Sequence, residues 1–300
     1  MVANIRAVGM VIYTYAVLEE RLDALWAWVK RVERWSGVTF SSYDFTARNK
    51  PTHGHGQATP GNRKRLYRRL QTQQPWFTWG YLWPTEELIR VSHGIHLAIT
   101  SRPQPERNGE RFRSPSYIFL EAHVDILKSE VERMRDFVAL GAQAWDIAGG
   151  SYGFIDVETG TPLRDSVLRN AIHLFDSTVP PEFHNEFREW QMLMPVLNRR
   201  VWKAFWGNFL GAEHLQSLGG VKDLQRADPQ RQMLPEYQEQ AYRTGLQKLN
   251  ACGCFHQLEP LAGGGVMGCL SESPLDWFEP EVQARVERLQ NTLGTLTLEL

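Results

Sequence analysis

Cys252, Cys254 and His256 alternate along the chain, and Cys269 stands on the next apolar run. If residues 246–258 form a strand, the three alternating side chains point to one face. Cys269, on the neighbouring strand, would then complete a Cys3His set of the kind that holds structural zinc. C-x-C on a strand is an uncommon ligand spacing, and small buried thiols are frequent in sheet cores. No metal and no cofactor is therefore assigned, and zinc at these four residues stays an open question. Gly149-Gly150-Ser151-Tyr152-Gly153 has the letters of a nucleophile elbow. That device needs a strand before the serine and a helix after it. Here the helical pattern comes first, so a helix-to-strand turn explains the glycines. No catalytic residue is assigned. His53 and His55 lack a nearby third ligand, and His93 and His96 are three apart at a strand start, on opposite faces.

Two charged clusters remain. Arg63, Lys64, Arg65, Arg68 and Arg69 form a basic group, with Trp76, Phe77, Trp79 and Trp83 downstream. Such a set would hold a nucleic-acid backbone and stack its bases. The whole chain carries 33 Lys and Arg against 34 Asp and Glu, however, and so offers no global field to a polyanion. No nucleic acid is expected, and a nucleic-acid-binding accessory role built on residues 63–69 is the alternative function. The acidic group is Glu272, Asp276, Glu279 and Glu281, beside Trp277 and Phe278. Carboxylates there also suit an ordinary helix start.

The elements that must position these residues follow from periodicity. Met10–Ala16 reads as a buried strand. Leu18, Leu22, Leu25, Val29 and Val32 make one helical stripe. Val38–Phe45 reads as a strand, residues 48–65 as a loop, and Arg63–Leu70 as a short basic helix. Ile95–Thr100 and Ser116–His123 read as a hairpin around Asn108-Gly109. A helix carries Leu127, Val131, Met134 and Val138, and Tyr152–Val157 is a strand. Thr161-Pro162 starts a helix. Val201–Leu210 reads as a strand, Ala212–Leu218 as a helix, Leu246–Leu258 and Gly265–Leu270 as strands, and Pro280 opens the last helix. The pattern is α+β, with a mixed, largely antiparallel sheet covered by helices. It is read as one domain over residues 1–300, with 159 as the place where two lobes would divide.

Composition sets outer bounds. Hydrophobic residues at 42% and charged residues at 22% are globular values. Three cysteines, an odd number, fit a reducing compartment better than a disulfide framework. No apolar run approaches the roughly 20 residues a bilayer span needs, and the apolar stretch at 7–18 lacks the marks of an export signal. The expected location is the cytoplasm, with no membrane partner. Eleven tryptophans tilt the reading toward recognition, because tryptophan anchors interfaces as well as cores.

Phe205-Trp206-Gly207-Asn208-Phe209-Leu210, then Glu213-His214-Leu215, then Leu218-Gly219-Gly220 resembles the W-G-N-x-L…H-L…L-G-G signature of the type VI secretion immunity protein family. The similarity runs from about residue 8 to residue 293 and is strongest over residues 205–220. The resemblance implies an α+β antitoxin without catalysis, whose partner is a cognate effector toxin. Within the family the chain is most similar to partners of nuclease effectors. Trp206, Gly207, Asn208, His214, Gly219 and Gly220 would hold the fold. Effector contacts vary between pairs, so the family does not supply them. A nuclease cleft is basic or metal-bearing and favours an acidic partner, which points to Glu272, Asp276, Trp277, Phe278 and Glu279.

Overall fold

A computed structural model gives the architecture. The structure describes residues 5–40, 42–47, 50–57, 59–72, 77–83, 95–100, 106–107, 110–111, 115–127, 130–159, 197–201, 203–221 and 234–296. The chain divides into two compact units. One takes residues 3–150 and 157–166, and the other takes residues 1–2, 151–156 and 167–300.

The first unit begins with β1 (Ile5–Thr14), whose residues 7–14 are all buried. A 3-10 turn (Leu18–Arg21) leads into α1 (Leu22–Ser36). Leu22, Leu25, Trp28, Val29 and Val32 recur at three- and four-residue steps and form its buried stripe. Gly37, at φ 71°, ends it in the left-handed region. Then come β2 (Ser42–Ala47), β3 (Lys50–Gln57), α2 (Pro60–Thr72), β4 (Phe77–Trp83) and β5 (Ile95–Thr100). A two-residue ladder pairs β6 (Glu106–Arg107) with β7 (Glu110–Arg111). β8 (Ser116–His123), the short α3 (Val124–Leu127) and α4 (Val131–Ala148) follow. The sheet runs β1-β8-β5-β4-β2-β3, and each pairing in it is antiparallel. α1 packs on α4, tied by Trp28 Nε1 donating to the Leu140 carbonyl at 2.9 Å. Thr14 Oγ1 donates to the Ala148 carbonyl at 2.9 Å and fixes the end of α4 to β1.

The second unit holds the first residues of β9 (Tyr152–Thr159). It continues with β10 (Gly207–Leu210), α5 (Ala212–Leu218), α6 (Pro235–Ala251), β11 (Gln257–Pro260), β12 (Val266–Cys269) and α7 (Pro280–Leu293). Its strands run β11-β12-β10-β9, all antiparallel. The protein is therefore α+β with antiparallel sheets and helices.

Four expectations need correction. Residues 48–65 are not a loop: β3 occupies residues 50–57 and α2 starts at Pro60. β3 is polar because it is the last strand of its sheet, and an edge tolerates charge and proline. The strand expected over 246–258 is instead the end of α6, followed by β11 from Gln257. Ala241, Gly245 and Leu249 are its buried residues, spaced by four. The strand expected over 201–210 is confined to Gly207–Leu210, and that over 38–45 starts at Ser42. The helix expected after Thr161 and the Asn108-Gly109 turn lie outside the described residues.

Candidate functional site

The signature residues fold into a buried joint. Trp206 is 1% exposed, and its indole N–H donates to Ser271 Oγ at 2.8 Å. Asn208, 2% exposed, brackets the turn before β10. Its Oδ1 accepts from the Phe205 N–H at 3.0 Å, and its Nδ2 donates to the Phe205 carbonyl at 2.7 Å. One side chain thereby satisfies both polar groups of a buried residue, which would otherwise cost free energy. Phe205 stacks on Phe154, centroids 3.9 Å apart. Gly207 pairs with Ile155 and Cys269, and a Cβ there would sit 3.0 Å from Ile155 Cβ.

His214 is fully buried in α5. Its Nδ1 accepts from the Gly211 N–H at 3.1 Å, which leaves Nε2 to donate to the Arg200 carbonyl at 3.1 Å. Burial pushes its pKa down from 6.5 to about 4, so the ring is neutral. Gly219 and Gly245 let α5 and α6 touch backbone to backbone. A Cβ on Gly219 would lie 1.8 Å from the Ala241 carbonyl oxygen, and one on Gly245 would lie 1.9 Å from that of Leu215. Gly220 adopts a φ of 109° at the turn that ends α5.

The acidic segment has the opposite character. Ser273 caps a 3-10 turn (Pro274–Asp276), its hydroxyl accepting from the Leu275 N–H at 3.2 Å. Trp277 is buried at 7% exposure, whereas Phe278 is 40% exposed. Gln283 Nε2 donates to the Trp277 carbonyl, and Arg285 Nη1 donates to the Leu270 carbonyl at 2.7 Å. Arg285 also pairs with Glu281 at 2.5 Å. These ties hold the segment across the first turns of α7. A pocket of about 550 Å³ opens there, lined among others by His256, Glu272, Asp276, Glu279, Glu281 and Arg285. Four carboxylates face one guanidinium, so the pocket is negative. Glu272, Asp276 and Glu279 come together as the spacing suggests. Trp277 turns inward as a core residue, and only Phe278 offers an aromatic surface. Spacing alone gave no hint of His256 in the lining, since a chain reversal brings it there, whereas Ser271 is the immediate neighbour of Glu272. Glu281 and Arg285, four apart at a helix start, carry a readable signal.

The other candidates are placed as follows. Cys252 ends α6 and its thiol donates to the Leu249 carbonyl at 2.9 Å. Cys269 Sγ lies 3.5 Å from Met267 Sδ. Residues 252–256 are not on a strand, so the shared face expected for a zinc set is lost. Among the described residues no group of three or more His, Cys, Asp or Glu side chains could hold a metal. Ser151 lies after α4 and before β9, the reverse of a nucleophile elbow. Arg63 is bound to Glu33 at 2.6 Å and to the Phe40 carbonyl at 2.5 Å. Lys64, Arg65 and Arg68 are exposed on α2, which also contains Arg69. No helix among the described residues is long and apolar enough to cross a membrane.

No family model matches the chain, and no curated protein matches it. Among solved structures it is similar to a Pseudomonas aeruginosa T6SS protein, with 12% identity and a TM-score of 0.46 over 98% of this chain and 73% of that one. A TM-score below 0.5 does not establish a shared fold.

Proposed function

We propose that this protein is an immunity protein that binds and neutralises a cognate type VI secretion effector and so protects its producer. It acts by binding, without catalysis, and its partner is a toxin with a basic surface, such as a nuclease cleft. The sequence resemblance over residues 205–220 motivates the reading. The observation that carries it is the negative pocket of residues 271–285, with exposed Phe278 beside it. A pinned acidic surface next to an aromatic anchor suits tight recognition of a cationic partner, because little ordering entropy is lost on docking.

The test is capture of the partner from the producing cell, followed by co-expression. The proposal expects a captured protein that stops growth when expressed alone and is harmless when this protein is present. Capture of only non-toxic proteins, or a toxic partner whose effect persists on co-expression, contradicts it.

A second reading rests on α2. Lys64, Arg65 and Arg68 are exposed there and would contact phosphates in a nucleic-acid-binding accessory protein. DNA retention that falls steeply with salt and is lost on neutralising these three residues would favour it.

A further inference from the structure

We propose that Cys252 and Cys254 are a redox-active pair that closes reversibly into a disulfide across Gly253, at the joint between α6 and β11. The joint is a chain reversal. Cys252 follows the last turn of α6, its N–H donating to the Lys248 carbonyl at 3.1 Å. Gly253 has a φ of 60°, in the left-handed region that glycine adopts most readily. Cys254 folds back, its thiol donating to the Cys252 carbonyl at 3.3 Å. Residues two apart have Cα atoms no more than about 7 Å apart, and a disulfide accepts separations of about 4.4–6.8 Å. The Cys252 thiol and the Arg288 guanidinium both lie close enough to the Cys254 sulfur to act on it electrostatically.

Exposure divides the roles. Cys252 is partly exposed and Cys254 is buried. Burial first, and then the neighbouring Cys252 thiol, push the Cys254 thiol up to about 12, so it does not make the first attack. The Cys252 thiolate attacks one sulfur of a low-molecular-weight disulfide, RSSR. The S–S bond breaks, and one RS⁻ leaves and takes up the proton that Cys252 released. Cys252 in the mixed disulfide carries neither a charge nor a thiol proton. Two of the influences that raise Cys254 are then gone, while Arg288 stays. Cys254 loses its proton to solvent, its sulfur attacks Cys252 Sγ, and the second RS⁻ leaves and is protonated. Two protein thiols are oxidised and one RSSR is reduced to two RSH.

Closure removes the thiol hydrogen bonds to the Leu249 and Cys252 carbonyls. His256, two residues on from Cys254, holds the Cys269 carbonyl at 2.9 Å through its N–H and lines the acidic pocket. The pair thus sits two residues from that rim. Cys269 serves as an internal control, because it is buried, pushed up to about 12, and directed at Met267.

The test equilibrates the full chain with oxidised glutathione at a series of ratios to reduced glutathione, then alkylates it in denaturant. The chymotryptic peptide ending at Phe255 holds Cys252 and Cys254 apart from Cys269. The proposal expects this peptide to lose two hydrogens and take no alkyl label, with Cys269 labelled. Cys254→Ser should retain glutathione on Cys252, and Cys252→Ser should take up none. Should Cys254→Ser fail to fold, the wild-type peptide map still decides. Alkyl label on both Cys252 and Cys254 at every ratio overturns the proposal. So does a lasting glutathione adduct on wild-type Cys252, or a disulfide that includes Cys269.

Discussion

Residues 205–220 and 271–285 belong to one unit and meet where Trp206 donates to Ser271, yet they differ in kind. In the first, aromatic rings, an asparagine, a histidine and a helix-pair contact are turned inward. In the second, the backbone is tied down while carboxylates and Phe278 face outward. The segment with the more recognisable spacing is thus the joint of the fold. The segment with plainer composition presents the chemistry a partner would meet. A motif conveys how a chain is held together more readily than what it touches, because packing demands particular residues at particular spacings and a docking surface does not.

That contrast can be broken from the joint side first. Trp206→Ala should destabilise the protein by about 4 kcal/mol, from lost burial, a cavity and the lost hydrogen bond to Ser271. Chemical denaturation measures this, and a loss under about 1 kcal/mol would remove Trp206 from the core of the account. Gly219→Ala should cost about 3 kcal/mol, because its one added carbon meets the Ala241 carbonyl and the helices must separate. Gly220→Ala has open space around its Cβ and only the strain of a positive φ to meet, so about 1 kcal/mol is expected. Equal losses at the two neighbouring glycines would undo the close-contact explanation.

His214 gives a pH test. Its folded pKa is about 4 against 6.5 in the unfolded chain. Between these values the unfolded state binds the extra proton, so stability falls as pH drops from 6.5 toward 4. The neutral ring's contribution is fully present above 6.5. The total is about 3 kcal/mol over that window. Unfolding curves of the wild type and His214→Gln at pH 7 and pH 4.5 should differ in slope, the variant being flatter. Parallel pH profiles would show that His214 is not the group responsible. The smallest effect is on the rim. Glu272→Lys with Asp276→Lys should change stability by less than about 1 kcal/mol, since Glu272 is exposed and Asp276 only half-buried, and surface carboxylates contribute only tenths each.

Much of the fold was legible. The stripe from Leu22 to Val32, the strands at 95–100 and 116–123, and the helix at 212–218 all follow from period and punctuation. β3 was hidden because an edge strand rich in glycine and histidine has no apolar alternation. The end of α6 was hidden because Cys252-Gly253-Cys254 mimics a strand once the helix has stopped. At the site, Glu272, Asp276, Glu279 and Glu281 were found by charge density; Arg285 was missed, although it stands four residues after Glu281 on the last helix. Trp277 was mistaken for surface because aromatic type does not encode which way a 3-10 turn points it. His256 reaches the pocket only through long-range pairing of its backbone with Cys269, which no local pattern encodes.

The most direct measurement is the affinity of the captured effector for the wild type and for the Glu272→Lys, Asp276→Lys variant, at low and physiological salt. The account predicts binding weakened about 100-fold in a variant that unfolds at the wild-type midpoint, with the wild type's association rate falling as salt rises. Unchanged affinity and salt response in the folded variant would contradict it and move the recognition surface away from residues 271–285.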